Sequence, residues 1–142
     1  MKEKASLIKG SEKLTSLFGY WPTFHDAEVI SLTLNRAGST LLADVHVFEI
    51  TSEVSQKGSF LCRHHCVVTL RFSEVDQVKI EGFGQQNPLM GLRIEDVSAR
   101  QLERIKFEVS FDGSFGLDCS FACAAVEVLT VKTGIPEGSV YA

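Results

Sequence analysis

Apolar and polar residues alternate along most of this chain, and this period of two constrains the fold more than any other feature. Two segments show it most clearly, Ile30 to Leu34 and Phe107 to Phe111, where every second residue is apolar. Successive side chains of a strand point to opposite faces, so each segment predicts a strand with one buried face. Seven or eight strands are expected in total, over residues 28–36, 41–50, 66–72, 78–83, 89–97, 106–111, 117–123 and, after a bend, within 122–131.

One helix is expected before the strands. Leu14, Leu17 and Phe18 recur at spacings of three and four, Ser11 precedes them as an N-cap, and Gly19 follows as a C-cap. A single helical turn is also expected over 99–104, and the polar stretch 51–59 is expected to be a loop. The predicted fold is mainly β (α+β), an antiparallel sandwich or open barrel with one N-terminal helix packed on it.

The strand at 41–50 has apolar residues on both faces. Val45 and Val47 share one face, while Asp44, His46 and Phe48 share the other. Either face can therefore point inward, and a β-bulge would shift the register.

Length and charge exclude several classes of protein. A chain of 142 residues predicts a single domain over 1–142. Its net charge of −4 argues against nucleic acid as a partner, since binding phosphates needs a clustered positive surface. The chain shows no long apolar window and no signal-peptide pattern, so we expect a cytoplasmic protein with no membrane partner. Residues 72–118 carry nine acidic against five basic residues, which would attract a basic partner or simply form a solvated surface.

The four cysteines form two pairs with three residues between the members, Cys62/Cys66 and Cys119/Cys123. In a reducing compartment they are expected to be free thiols that pack as small hydrophobic residues. Cys62, His64 and Cys66 are candidate metal ligands, but a strand would space them about 7 Å apart along one face. A metal site there would need the chain to curl, so buried thiols are the expected state.

The segment 18–28 differs in kind from the rest of the chain. It gathers the only tryptophan, three other aromatic residues, a histidine and two carboxylates between the helix and the first strand. Its candidate binding residues are Tyr20, Trp21, His25, Asp26 and Glu28. We expect Asp26 to accept a hydrogen bond from the His25 ring or from backbone amides of the turn, and Glu28 to share its strand face.

Three interpretations of this segment remain open. Its aromatic residues can fill the corner between helix and sheet while the polar residues tie the turn. Tyr20 and Trp21 can instead anchor a binding patch. His25, Asp26 and Glu28 can also form a metal site or an acid/base site. The chain shows no nucleophile elbow, phosphate-binding loop or dinucleotide fingerprint, so no catalytic residue is assigned.

The same segment resembles a known family. Phe-Gly-Tyr-Trp-Pro-x-Phe-His-Asp-Ala-Glu-Val, from Phe18 to Val29, is similar to the opening of the immunity protein 50 family of bacterial polymorphic toxin systems. Val68 to Phe72, the turn at 81–87 and the stretches 115–116 and 121–123 resemble that family's central strand, its Phe-Asn-x-Gln-Asn turn and its final hairpin. Gly84 and Gln85 differ from the family's turn.

The resemblance implies a small cytoplasmic antitoxin that is encoded beside a toxin and binds it. It implies no catalytic residues and no cofactor. Our first hypothesis is therefore an immunity protein that neutralises a cognate toxin by covering its surface, without catalysis. The alternative is a small metal-dependent enzyme or binding domain centred on His25, Asp26 and Glu28. A third possibility is a homodimer formed through exposed strand edges.

Overall fold

A computed structural model describes residues 7–140 of the chain. It contains one α-helix, α1, a short 3-10 helix at Ser98–Arg100 and eight strands. The bounds are α1 Glu12–Phe18, β1 Glu28–Asn35, β2 Thr40–Val54, β3 Phe60–Ser73, β4 Asp76–Glu81, β5 Leu89–Asp96, β6 Phe107–Gly113, β7 Asp118–Cys123 and β8 Ala125–Thr133.

The strands form two antiparallel four-stranded sheets. The first sheet has the order β1-β2-β3-β8 and the second β4-β7-β6-β5. Their inner faces meet in one apolar core, where the Phe72 ring lies 5.9 Å from Phe111 and 4.9 Å from Phe121, both on the second sheet. The mainly β fold with an N-terminal helix is confirmed, and its described part is an open sandwich.

The helix α1 buries Leu14 and Phe18 in this core. Gly19 ends it with φ +84° and donates its N–H to the Thr15 carbonyl, so the predicted C-cap is confirmed. Ser11 occupies the N-cap position, as predicted, but the expected capping bond is absent. Its backbone has helical angles (φ −57°, ψ −28°), whereas a capping side chain requires an extended backbone.

The predicted loop at 51–59 is wrong in its first half. The strand β2 continues to Val54, β3 begins at Phe60 rather than at residue 66, and only 55–59 form the turn between them. This outer hairpin, residues 50–62, extends past the last residues paired with β1 and β8, which are His46 and Cys66. Both of its faces can therefore meet solvent, so its sequence lacks the alternation that identifies a half-buried strand.

Two shorter predictions need correction. The helical turn expected over 99–104 is a single 3-10 turn at Ser98–Arg100. The strand expected over 106–111 continues to Gly113, which still pairs with β5, so the turn that follows it lies at 114–117. A side chain at Gly113 would lie 1.6 Å from the Leu117 carbonyl oxygen, so the close approach of this turn requires glycine.

Candidate binding site

The aromatic segment after α1 connects the helix to β1 through a turn with unusual backbone angles. Phe24 and Asp26 adopt φ values of +63° and +64°, which few residues other than glycine tolerate. Phe24 is fully buried, and the Trp21 ring packs against it at 5.7 Å while remaining partly exposed. The aromatic residues thus fill the corner between helix and sheets, and part of Trp21 stays on the surface.

Tyr20 joins this segment to the base of the outer hairpin. Its ring packs edge-on against Phe18, and its hydroxyl donates to Glu49, which also accepts from Arg63. The hydrogen bond to Glu49 raises the pKa of Tyr20, and the bonds from Tyr20 and Arg63 lower the pKa of Glu49. Tyr20 is still 46% exposed, so it offers a ring held in place at the surface.

His25 and Asp26 form an exposed pair. His25 Nδ1 lies 3.2 Å from Asp26 Oδ2, so the contact expected from the sequence is present. The Asp26 amide donates to the Leu89 carbonyl, which fixes the turn against the second sheet. Burial raises the pKa of the Cys62 thiol, and the negative charge of nearby Asp26 raises it further.

Glu28 belongs to a different cluster, on the outer face of the first sheet. Glu28 Oε1 accepts from His46 Nδ1 at 2.7 Å and from Ser139 Oγ at 2.6 Å, and the Val140 amide lies 3.4 Å from Oε2. Asp26 precedes β1 in a left-handed turn, so the expectation that Asp26 and Glu28 share a strand face is wrong. No contact joins His25 and Asp26 to Glu28 among the described residues.

The cluster around Glu28 is partly buried and centres on a fully buried histidine. His46 has no exposed surface, and its Nε2 lies 2.9 Å from His65 Nδ1. Because Glu28 accepts from His46 Nδ1, a neutral His46 accepts at Nε2 from the N–H of His65. Burial and the neighbouring His46 lower the pKa of His65, against the opposite effect of Glu28. Both faces of β2 are therefore buried here, with Val45 and Val47 inward and His46 under the C-terminal segment.

Serine, histidine and glutamate meet in this cluster, but their arrangement differs from that of a catalytic triad. In a triad the acid and the serine bind opposite nitrogens of the imidazole ring. Here Ser139 Oγ, at 3.4 Å, and Glu28 both face Nδ1 of His46. The cluster instead fastens the segment around Ser139 to the sheet, through residues that lie 111 positions apart in the sequence.

The cysteine and histidine cluster at 62–66 does not converge. A β-bulge places His64 at φ +60°, because Arg63 pairs with Glu49 and Cys66 pairs with Val47. Cys66 lies in the core, and the ring of His64 contacts Phe18 at 5.6 Å. Between residues 7 and 140, no group of three or more His, Cys, Asp or Glu side chains is arranged to hold a metal ion.

Sequence reasoning missed Asn87, which is 3% exposed. Its Oδ1 accepts from the Gly84 amide at 2.8 Å, and its Nδ2 donates to the carbonyls of Gly84 and Val29 at 2.9 and 3.1 Å. The Asn87 backbone also bonds to Val29, so the turn before β5 is tied to β1. The only available signal was its place in the turn that resembles the family pattern.

Most of the described chain matches a known protein family. Residues 10–133 match the family described as immunity protein 50. The chain belongs to the immunity protein 50 family. The resemblance seen in the sequence is thereby confirmed. A comparison with curated proteins returns no match, and a comparison with solved structures returns none either.

The family match of this immunity protein 50 chain covers most of both polar clusters. It includes the aromatic segment with His25 and Asp26, the Asn87 turn, Glu28, His46 and His65, whereas Ser139 lies beyond it. Within the described chain, no helix has the length and apolar character needed to cross a membrane.

The second sheet of this immunity protein 50 chain carries an acidic outer face. Strand register places five carboxylates and two basic residues there. A shallow depression of about 280 Å³ on this face is bordered by Glu95 and Glu108, and its floor includes Ser110 and Ser120. Arg93 Nε lies 2.8 Å from Asp112, so one carboxylate is paired within the face. We call this surface the acidic face: Glu81, Glu95, Glu108, Asp112 and Asp118, with Lys79 and Arg93.

Proposed function

We propose that this chain is an immunity protein that binds a cognate bacterial toxin protein in the cytoplasm and neutralises it by covering its surface, without catalysis. The observation that carries the proposal is the family match over residues 10–133. Inhibition of this kind requires an interface of about 1,600 Å² with aromatic anchors and complementary charge, and no reaction chemistry.

The local chemistry supports a binding role. Glu28, His46 and Ser139 are engaged in one another's hydrogen bonds, as an anchor of the C-terminal segment requires. Tyr20 and Trp21 remain available as partly exposed aromatic side chains, and we propose them, with His25 and Asp26, as binding residues. Glu28 contributes by holding the segment that follows β8.

Charge supports a protein partner with a basic surface. The acidic face concentrates part of the net charge of −4 on one side of the molecule. Opposite charges on two proteins speed their encounter and fix their relative orientation. The same charge is unfavourable for nucleic acid, which we do not propose as a partner.

Co-expression with the product of the neighbouring gene tests the proposal. We expect the chain to protect cells from that toxin and to form a complex with it at micromolar concentration. A properly folded chain that neither protects nor binds would contradict the proposal.

The alternative of a metal centre at His25, Asp26 and Glu28 is not favoured, because Glu28 bonds to His46 and Ser139 and not to the His25–Asp26 pair. Stoichiometric transition metal in an elemental analysis would contradict this reading. Light scattering of the isolated protein tests the predicted pairing of edge strands into a homodimer.

A further inference from the structure

The strand β5 forms one edge of the second sheet. It pairs with β6 along its length, and its other side is bonded only at Leu89, through the Leu89 amide and carbonyl to residues 26–27. Within residues 7–140, no backbone group reaches the outer side of β5 from Leu92 to Asp96. An edge of this kind presents N–H and C=O groups that can pair with another extended chain.

A mainly apolar groove runs beside this edge. Ile8, Trp21, Pro22 and Thr23 form one wall, and the stretch from Leu92 to Glu95 forms the other. The groove has a volume of about 520 Å³. Leu92 and Ile94 point toward the core side of the sheet, so a strand added to β5 would continue their apolar surface over the groove.

The opposite side of the same edge carries Arg93 and Glu95. Arg93 is paired with Asp112, and Arg100 donates to Glu108, the residue opposite Glu95 across the β5–β6 pair. Among the described residues, Glu95 has no salt bridge and is the carboxylate at this edge that can meet a basic side chain. A strand added to β5 would send every second side chain over this face. Basic side chains would be favoured there, whereas the side chains between them would enter the apolar groove.

We infer that the outer edge of β5 is a strand-addition site for an extended segment of a partner protein in which apolar and basic residues alternate. The backbone of that segment pairs with Leu92 to Asp96, its apolar side chains enter the groove beside Trp21, and a basic side chain meets Glu95. The identity of the partner as a toxin rests on the proposed function. The β5 site adds the chemistry by which the toxin is held.

A peptide of about seven residues in which lysine and valine alternate is a direct probe, since it spans the edge at about 3.4 Å per residue. The control peptide has the same composition with its lysines and valines in two blocks. We expect the alternating peptide to bind about tenfold more tightly, with the largest changes in amide chemical shift at residues 92–96. Equal binding of both peptides, or shifts confined to other residues, would overturn the inference.

Two substitutions separate the groove from the charge. Thr23 is an exposed residue in the groove wall, so Thr23→Gln fills part of the groove without adding charge or removing core packing. Thr130→Gln, at an exposed position of β8, is its control. Glu95→Lys reverses one charge of the acidic face, and Glu53→Lys makes the same change on the outer hairpin. We expect each site variant to bind the alternating peptide about tenfold more weakly and each control to bind it unchanged. Loss of binding in the controls as well would contradict the site.

The same four variants, tested against the neighbouring toxin, distinguish the two proposals. A toxin complex that forms with wild-type protein and is weakened by Thr23→Gln and Glu95→Lys supports both. If both variants bind the toxin as tightly as the wild type does, the immunity function stands and the β5 site is overturned. Absence of any complex, with the peptide still binding at residues 92–96, retains the site and contradicts the toxin partner.

Discussion

Replacement of Asn87 by alanine tests how strongly the turn at 84–87 depends on one buried side chain. The amide of Asn87 makes three hydrogen bonds, to Gly84 twice and to the Val29 carbonyl. A buried hydrogen bond contributes about 1 kcal/mol net, and the partners left behind lose their bonds. We therefore expect Asn87→Ala to lower the free energy of unfolding by about 3 kcal/mol.

Urea denaturation followed by the fluorescence of Trp21 measures this loss, and the melting temperature should fall by about 10 °C for a chain of this size. Asn35 is the matched control, because its exposed side chain makes a single bond, to the Ala37 amide at 2.8 Å. Asn35→Ala should cost less than about 1 kcal/mol. If the two variants lost the same stability, the buried amide would not be what holds the turn.

Asn87→Asp sharpens the test. It retains the acceptor for the Gly84 amide but turns a carboxylate oxygen toward the carbonyls of Gly84 and Val29. Burial and these carbonyls should raise the pKa of the new carboxyl above its unfolded value, so the variant should be less stable than Asn87→Ala at pH 7. Its stability should recover as the pH falls through that raised pKa toward the unfolded value of about 4. A pH-independent loss would refute the reasoning.

Three further predictions follow from burial and charge. Trp21→Ala should lower the free energy of unfolding by about 2 kcal/mol, less than for a fully buried tryptophan because the ring is partly exposed; circular dichroism measures it, and a loss of 4 kcal/mol or more would place the ring in the core. Burial raises the pKa of Glu28, but the bonds from His46, Ser139 and the Val140 amide lower it by more, so the net pKa is depressed. The stability these bonds contribute should be complete at neutral pH and lost as the pH falls below about 4. If Glu28→Gln lost as much stability between neutral pH and acid as the wild type does, this assignment would be contradicted. A thiol reagent at neutral pH should modify only Cys62 in the folded protein, since burial raises the pKa of the other thiols to about 11 or 12. Rapid modification of more than one thiol per chain would argue against this.

The elements that could be predicted from the sequence are those with a local pattern. The alternation in β1 and β6 and the Gly19 cap identified a strand or a helix end because period and backbone angle are properties of neighbouring residues. The part of the outer hairpin beyond Ile50 could not be predicted. Its strands extend past both flanking strands, so no buried face imposes an alternation on them.

The candidate site was predicted in part for the same reason. The contact between His25 and Asp26 joins adjacent residues and could be expected. The partners of Glu28 could not, because His46 and Ser139 lie 18 and 111 positions away and are brought to it by sheet register and by the return of the chain after β8.

The sequence by itself determined that the chain forms an antiparallel β fold with one helix, and its aromatic segment indicated the family. Tertiary structure alone decided which polar residues far apart in the sequence meet. It turned Glu28 away from His25 and Asp26, and it placed the exposed edge of β5 between an apolar groove and an acidic face. The physical reason is that strand pairing brings together residues far apart in the chain, whereas a local pattern records only which face of each strand is buried.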